Sequence, residues 1–168
     1  YERVSGYLTD GKILYGGRTD ASDRFIEPTL LEISNLDAPV MNEEIFGPVF
    51  PIITMDDEGT AFLEKAAEFV NSREKPLAFY YFGKESDGWK IVGMTSSGGG
   101  CINDVIMHIA NEKVPFGGVG NSGMGRYHDR ESFEAFSHTR SIIATANWID
   151  LPFRYMPYKM FGLVKKIL

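Results

Sequence analysis

Three stretches of this 168-residue sequence carry groups that chemistry can use. The first is Met41-Asn42-Glu43-Glu44-Ile45-Phe46-Gly47-Pro48. Paired carboxylates do acid–base work or accept hydrogen bonds from a sugar diol. The same run also fits a solvated acidic turn ahead of a Gly-Pro bend. The second is Cys101, which follows Gly98-Gly99-Gly100. A glycine turn exposes a thiol for nucleophilic attack, with His108, His128 and His138 as candidate bases. A small apolar residue packed inside a strand explains the same cysteine, and no histidine stands at a diagnostic spacing from it. The third is Pro115-Phe116-Gly117-Gly118-Val119-Gly120-Asn121-Ser122-Gly123-Met124-Gly125. Its amides can approach an anion, and Gly118, Gly120 and Gly123 satisfy G-x-G-x-x-G. A dinucleotide fingerprint, however, follows a strand and opens a helix. Here Asn111-Glu112-Lys113-Val114 precedes the run and Arg126-Tyr127-His128 follows it. The stretch therefore reads as a structured loop bordering a pocket. Three scattered histidines and one cysteine show no ligand spacing, so no metal site is expected.

The elements that must position these groups alternate between strand and helix. Residues 1–8 read as the last turns of a helix with Val4, Tyr7 and Leu8 on one face. Lys12–Tyr15 reads as a short strand stopped by Gly16-Gly17, and residues 24–31 as an extended segment that Pro28 confines to an edge. Residues 49–55 form a further Pro-bearing strand. The clearest helix runs from about Glu58 to Ser72, capped by Asp56 or Asp57, with Phe62, Ala66, Phe69, Val70 and Arg73 at helical spacing. Residues 77–82 form an aromatic central strand, and a second helix starts near Ser86 or Asp87. Residues 97–100 read as a turn and 101–105 as a strand. A third helix covers about Arg130 to Phe136, with Phe133 and Phe136 inward and Asp129 as its cap, and residues 141–146 form a late strand. Strands separated by helical patterns define an α/β fold with a mixed, largely parallel sheet.

Composition bounds the function. Apolar residues at 43% and charged residues at 24% are those of an ordinary globular domain, not of a disordered chain or a coiled coil. The net charge of −6 disfavours nucleic acid, which needs a basic surface. A single cysteine excludes an internal disulfide and points to a reducing compartment. The sequence opens on Tyr1 without a signal-peptide run and reads as a fragment or a processed piece. No stretch of apolar residues reaches the length of a membrane-spanning helix.

Glu43-Glu44-Ile45-Phe46-Gly47-Pro48 resembles the Glu-Glu-x-Phe-Gly-Pro signature of the aldehyde dehydrogenases. Ser97-Gly98-Gly99-Gly100-Cys101-Ile102-Asn103-Asp104 resembles the family's late Ser-Gly-Gly strand ending in Asn, and Pro115 to Gly125 its glycine-rich loop. Arg73-Glu74-Lys75-Pro76-Leu77-Ala78, Tyr127-His128 and Ser132-Phe133-Glu134 with Phe136-Ser137-His138 are similar to the class 3 branch, which includes fatty-aldehyde dehydrogenases. The resemblance runs from Tyr1 to about Ile143 and matches the C-terminal part of such an enzyme.

The resemblance implies oxidation of aldehydes to carboxylic acids with NAD or NADP. The substrates are of medium or long chain, or aromatic. A thiolate suits that chemistry because it attacks near neutral pH and leaves readily from a thioester. In the family the nucleophilic cysteine and the water-activating glutamate precede the segment seen here, so no catalytic residue is expected in this chain. Glu44 matches the ribose-binding glutamate, whose carboxylate accepts from both diol hydroxyls. Phe46 matches the aromatic beside the nicotinamide end, and Phe116 an aromatic lining the aldehyde site. Departures from the class pattern fall at Cys101, at Ile102, at Asp129 and in Phe153–Tyr158.

The expected organisation is a catalytic-domain part over 1–140, an oligomerisation strand over 141–150 that makes a homodimer, and a basic, apolar tail over 151–168. That tail carries Arg154, Lys159, Lys165 and Lys166 among apolar residues and is expected to meet a membrane surface. An intracellular location follows, in the cytoplasm or on the cytosolic face of an organelle membrane. The competing reading is a non-catalytic interaction or structural module built on the same fold.

Overall fold

The computed structural model describes residues 1–150, 155–157 and 160–166. The chain opens with α1 (Glu2–Gly6), which tightens into a 3-10 turn at Tyr7–Thr9. The expected apolar face is formed: Val4 and Tyr7 are buried and Leu8 packs beside them. Next come β1 (Lys12–Tyr15), β2 (Thr19–Asp20), β3 (Phe25–Ile26) and β4 (Thr29–Glu32). The extended segment expected over 24–31 is thus two strands. Pro28 has no amide to donate, so the run breaks there, and its second half becomes a central strand rather than an edge. β5 (Val49–Ile52) completes a three-stranded sheet in the order β1-β4-β5. β1 runs antiparallel to β4, and β5 parallel to it, with Thr29 opposite Val49 and Glu32 opposite Ile52. Pro51 is accommodated because β5 is the outer strand. Leu31, Val49 and Ile33 bury against Val4, Tyr7 and Val40 to form the first core.

The second half holds α2 (Gly59–Asn71), β6 (Ala78–Tyr81), α3 (Glu85–Met94) and β7 (Gly99–Ile102). β6 and β7 pair in parallel from Ala78–Gly99 to Tyr81–Ile102. Among the described residues β6 pairs with β7 alone, so the expected central strand has one ladder. The buried stripe of α2 is Leu63 and Ala67, one step from the expected face, and Phe62 is exposed. Ile91 of α3 sets that phase by packing on Leu63 and Ala67. Neither Asp56 nor Asp57 caps α2; Glu58 holds that position without a side-chain bond, and Asp57 pairs with Lys65. β7 begins inside the expected turn, because Gly100 lies against β6: a Cβ there would sit 1.9 Å from the Phe79 carbonyl oxygen.

α4 (Met107–Ala110), α5 (Asp129–Ala135) and α6 (Phe161–Val164) complete the chain. Phe133 of α5 and Phe136 just after it are 75% and 96% exposed, not inward as the sequence pattern predicts, since no described element packs over them. Asp129 is the first helical residue; the cap is His128, whose amide donates to Ser132 Oγ at 2.9 Å. Residues 137–146 carry no regular structure, and every residue from 133 to 150 is exposed. Residues 141–146 do not form the expected late strand, because among the described residues no strand lies alongside to supply its ladder. Parallel and antiparallel ladders occur equally among the described residues, so the architecture is mixed α/β.

Candidate functional site

The Glu43–Gly47 loop is tied at both ends. Before it, Pro39 starts a 3-10 turn to Met41, and the Val40 amide donates to Asp10 Oδ2 at 2.8 Å. Arg73, at the end of α2, donates to the Met41 carbonyl at 2.8 Å and to the Leu36 carbonyl at 2.7 Å, while its guanidinium lies over the Phe69 ring. After it, Gly47 lies against α1, where a Cβ would come within 2.7 Å of Val4 Cγ1. Phe46 takes a left-handed φ of 45°, which a side-chain-bearing residue rarely adopts.

Within the loop, Glu43 is engaged. Tyr7 donates its hydroxyl to Glu43 Oε1, and Arg3 Nη1 lies 3.4 Å from the same oxygen. The Tyr7 hydrogen bond, with the Arg3 charge behind it, holds the Glu43 carboxyl below its ordinary range. The same bond pushes the Tyr7 phenol up. Glu44 is exposed and has no hydrogen-bond or ion-pair partner among the described residues. It faces an open cleft of about 930 Å³ formed by this loop, residues 72–78 and Asn121-Ser122. Two motifs that are 70 residues or more apart in sequence therefore meet there, with Arg73 and Lys75 on the same rim. Phe46 is 82% exposed and borders a separate hollow of about 570 Å³ with Tyr1, Arg24 and Pro48.

The glycine-rich loop is closed at its base by a bridge between Phe116 and Tyr127, whose amides donate to each other's carbonyls at 3.0 and 2.9 Å. Its glycines are needed for backbone contact. A Cβ on Gly118 would lie 2.2 Å from the Ser122 carbonyl oxygen, and one on Gly117 would lie 2.2 Å from that of Gly125. Ser122 Oγ accepts from the Val119 amide at 2.9 Å and pins the turn. Crowding of this kind is that of a structured loop rather than of an open phosphate cradle.

Phe116 is half-buried in a row of rings. Its centroid lies 5.6 Å from His108, 5.7 Å from Tyr127 and 6.2 Å from His128, the last nearly parallel. His108 also approaches Cys101, with Nδ1 3.8 Å from Sγ. The structure thus joins a thiol and an imidazole that sequence spacing did not connect. Among the described residues no group of His, Cys, Asp or Glu could hold a metal ion. The structure brings Glu44 to a cleft and Phe116 to an aromatic cluster, and Phe116 is not among the residues that line the Glu44 cleft. Sequence reasoning missed Arg3 altogether, and named Arg73 only in the helix pattern and the class 3 motif, not as an anchor of the Glu43–Gly47 loop. The available signal was the Arg3–Tyr7 spacing of four on one helix face.

The sequence matches the model of the aldehyde dehydrogenase family over residues 2–142. The chain belongs to that family. It is 50% identical over 144 residues to the rat (Rattus norvegicus) dimeric NADP-preferring aldehyde dehydrogenase, covering 85% of this chain and 31% of the relative. It is 45% identical over 161 residues to rat aldehyde dehydrogenase family 3 member B1, covering 94% and 33%. The solved substrate-bound state of Staphylococcus aureus AldH superimposes with a TM-score of 0.81 at 40% identity, over 99% of this chain and 36% of that one. The chain therefore spans about a third of the length of the relatives it matches.

Proposed function

We propose that this chain is part of an NAD- or NADP-dependent aldehyde dehydrogenase that oxidises medium- or long-chain or aromatic aldehydes to carboxylic acids. Family membership supports the reaction class. The observation that carries the site is the contrast between two adjacent glutamates: Glu43 is bonded to the fold, while Glu44, with no partner among the described residues, presents an exposed carboxylate to a cleft. A carboxyl group with unused lone pairs fits the two hydroxyls of a ribose. Phe46, with its ring in the open, would offer an apolar face to the nicotinamide end, which would limit ring motion and exclude water. The bound dinucleotide supplies the hydride acceptor. Phe116, with His108 and Tyr127 around it, lines the aldehyde side, and its aromatic surface suits an apolar substrate. The thiolate that forms the thioester comes from a residue upstream of this chain.

We further propose a homodimer, in line with the relative named dimeric. The exposed segment over 141–150 pairs with a second copy, and the tail contacts a membrane on the cytosolic side. The test is NAD(P)H formation with an aldehyde series, by the full-length protein and by the 168-residue chain alone. Activity in the first and none in the second is the expected outcome. Oxidation by the chain alone, lost on Cys101→Ser, overturns the assignment of the nucleophile.

A further inference from the structure

The same loop carries a second layer of information, in what holds it. Arg3 of α1 reaches it at two points on either side of Glu44. Its Nη1 faces the Glu43 carboxylate at 3.4 Å, and its Nη2 donates to the Ile45 carbonyl at 2.7 Å. Nη1 also donates to the Tyr7 hydroxyl at 2.9 Å, so Arg3, Tyr7 and Glu43 close a three-membered ring of contacts. The guanidinium sits 5.6 Å from the Tyr7 ring centroid, and that ring is buried in the first core. The planar fork of arginine suits such a task, since two separate acceptors can be held at once. The Ile45 carbonyl belongs to the peptide plane that sets the left-handed φ of Phe46. Gly47 then closes on Val4, one residue from Arg3. Residues 43, 45 and 47 are thus fastened to α1, while Glu44 and Phe46 between them are left outward and exposed.

We propose that α1 is the positioning platform of the cofactor-facing loop, with Arg3 as the positioning residue that sets the direction of Glu44 and Phe46 by bracketing them at Glu43 and Ile45. The inference rests on the reading that Glu44 and Phe46 meet the dinucleotide. The contacts are partly exposed, and exposed ion pairs contribute little to stability. Their effect therefore falls on loop geometry and on cofactor binding, more than on melting temperature.

The experiment compares Arg3→Met, Arg3→Lys, Tyr7→Phe and Glu44→Gln in the full-length enzyme, measuring KM for dinucleotide and for aldehyde, kcat and the thermal midpoint. Arg3→Met is expected to raise the dinucleotide KM about tenfold, with aldehyde KM and kcat within about twofold and the midpoint near wild type. Arg3→Lys restores the charge beside Glu43 but cannot hold both acceptors, so it falls between. Tyr7→Phe keeps the buried ring and removes only the hydroxyl; it raises the dinucleotide KM less than Arg3→Met, and it carries the test if Arg3→Met does not fold. Unchanged dinucleotide KM in Arg3→Met and Tyr7→Phe, with Glu44→Gln impaired, overturns the platform and leaves the ribose reading standing. Unchanged binding in Glu44→Gln as well removes the reading on which the platform rests. A fall in midpoint with equal rises in both KM values assigns Arg3 to the fold instead and overturns the proposal.

Discussion

Glu43 accepts from Tyr7 and pairs with Arg3, whereas Glu44, one residue on, faces the cleft without a partner among the described residues. Their chemistry differs because their surroundings differ. Glu44→Gln keeps the shape but weakens charge-assisted hydrogen bonds, each typically worth about 1.5–3 kcal/mol. Cofactor affinity or turnover of the full-length enzyme should fall by roughly tenfold, measurable by steady-state kinetics and dinucleotide titration. Glu43 predicts a pH effect instead. Its native pKa lies below the ordinary 4.5, so the ionised group contributes stability above 4.5 and that contribution is lost as pH falls through the lowered native value. Tyr7 shifts oppositely: raised from 10.0, its contribution holds below 10.0 and is lost as pH rises through the raised native value. Melting curves at descending pH should show wild type losing more stability than Glu43→Gln. Parallel curves for the two proteins would mean that the bond is not made in solution.

At the scale of elements, the two short cores and the glycine loop make separable predictions. Ile91 is 2% exposed and locks α3 onto Leu63 and Ala67 of α2. Ile91→Ala should cost about 2–5 kcal/mol, read by chemical denaturation of the full-length protein. The loop offers an internal control. Ala at Gly118 would drive a methyl to 2.2 Å from the Ser122 carbonyl oxygen, which is backbone and cannot yield cheaply. Ala at Gly120 meets nothing closer than Lys75 Cδ at 3.8 Å and carries only the strain of a φ of 64°. Gly120→Ala should therefore cost about 1–2 kcal/mol, and Gly118→Ala clearly more. Equal losses from the two would show that backbone crowding does not shape this loop.

On the scale of the whole molecule, the exposed surface is 13090 Å², where a compact monomer of this mass exposes about 8300 Å². Residues 133–150, all exposed, and large apolar side chains such as Phe50, Phe82 and Trp89 contribute to that excess. Ile142 and Ile143 are 72% and 89% exposed within that irregular stretch. An unpaired apolar segment invites strand addition by a second copy. Ile143→Lys should weaken a dimer of the full-length enzyme in analytical ultracentrifugation; an unchanged dimer removes this segment from the interface. The tail carries the other whole-molecule prediction. Residues 151–154, 158–159 and 167–168 lie outside the described residues, and no described helix is long and apolar enough to cross a membrane. Deleting residues 158–168 should reduce liposome flotation of the full-length enzyme with anionic lipid at low salt. Equal flotation of both forms counts against the tail.

What the sequence determined by itself is local or motif-borne. Lys12–Tyr15 stands as β1 because its run and its Gly-Gly stop are short-range signals, and α2 begins and ends within a residue of its expected span. The Glu-Glu-x-Phe-Gly-Pro motif, together with the Ser-Gly-Gly strand and the glycine-rich loop, identified the family without any coordinates, since residue types at fixed spacing are legible as a pattern. The rest depended on neighbours distant in sequence. Ile91 set which face of α2 is buried, and Phe79 drew Gly100 out of a turn and into β7. Phe133 and Phe136 face outward because hydrophobic periodicity identifies an apolar face but not what covers it. Residue type alone did not say which of Glu43 and Glu44 is bonded to the fold, although the family resemblance singled out Glu44. Arg3 and Tyr7, some forty residues earlier, make that distinction, and only folding brings them within hydrogen-bonding distance.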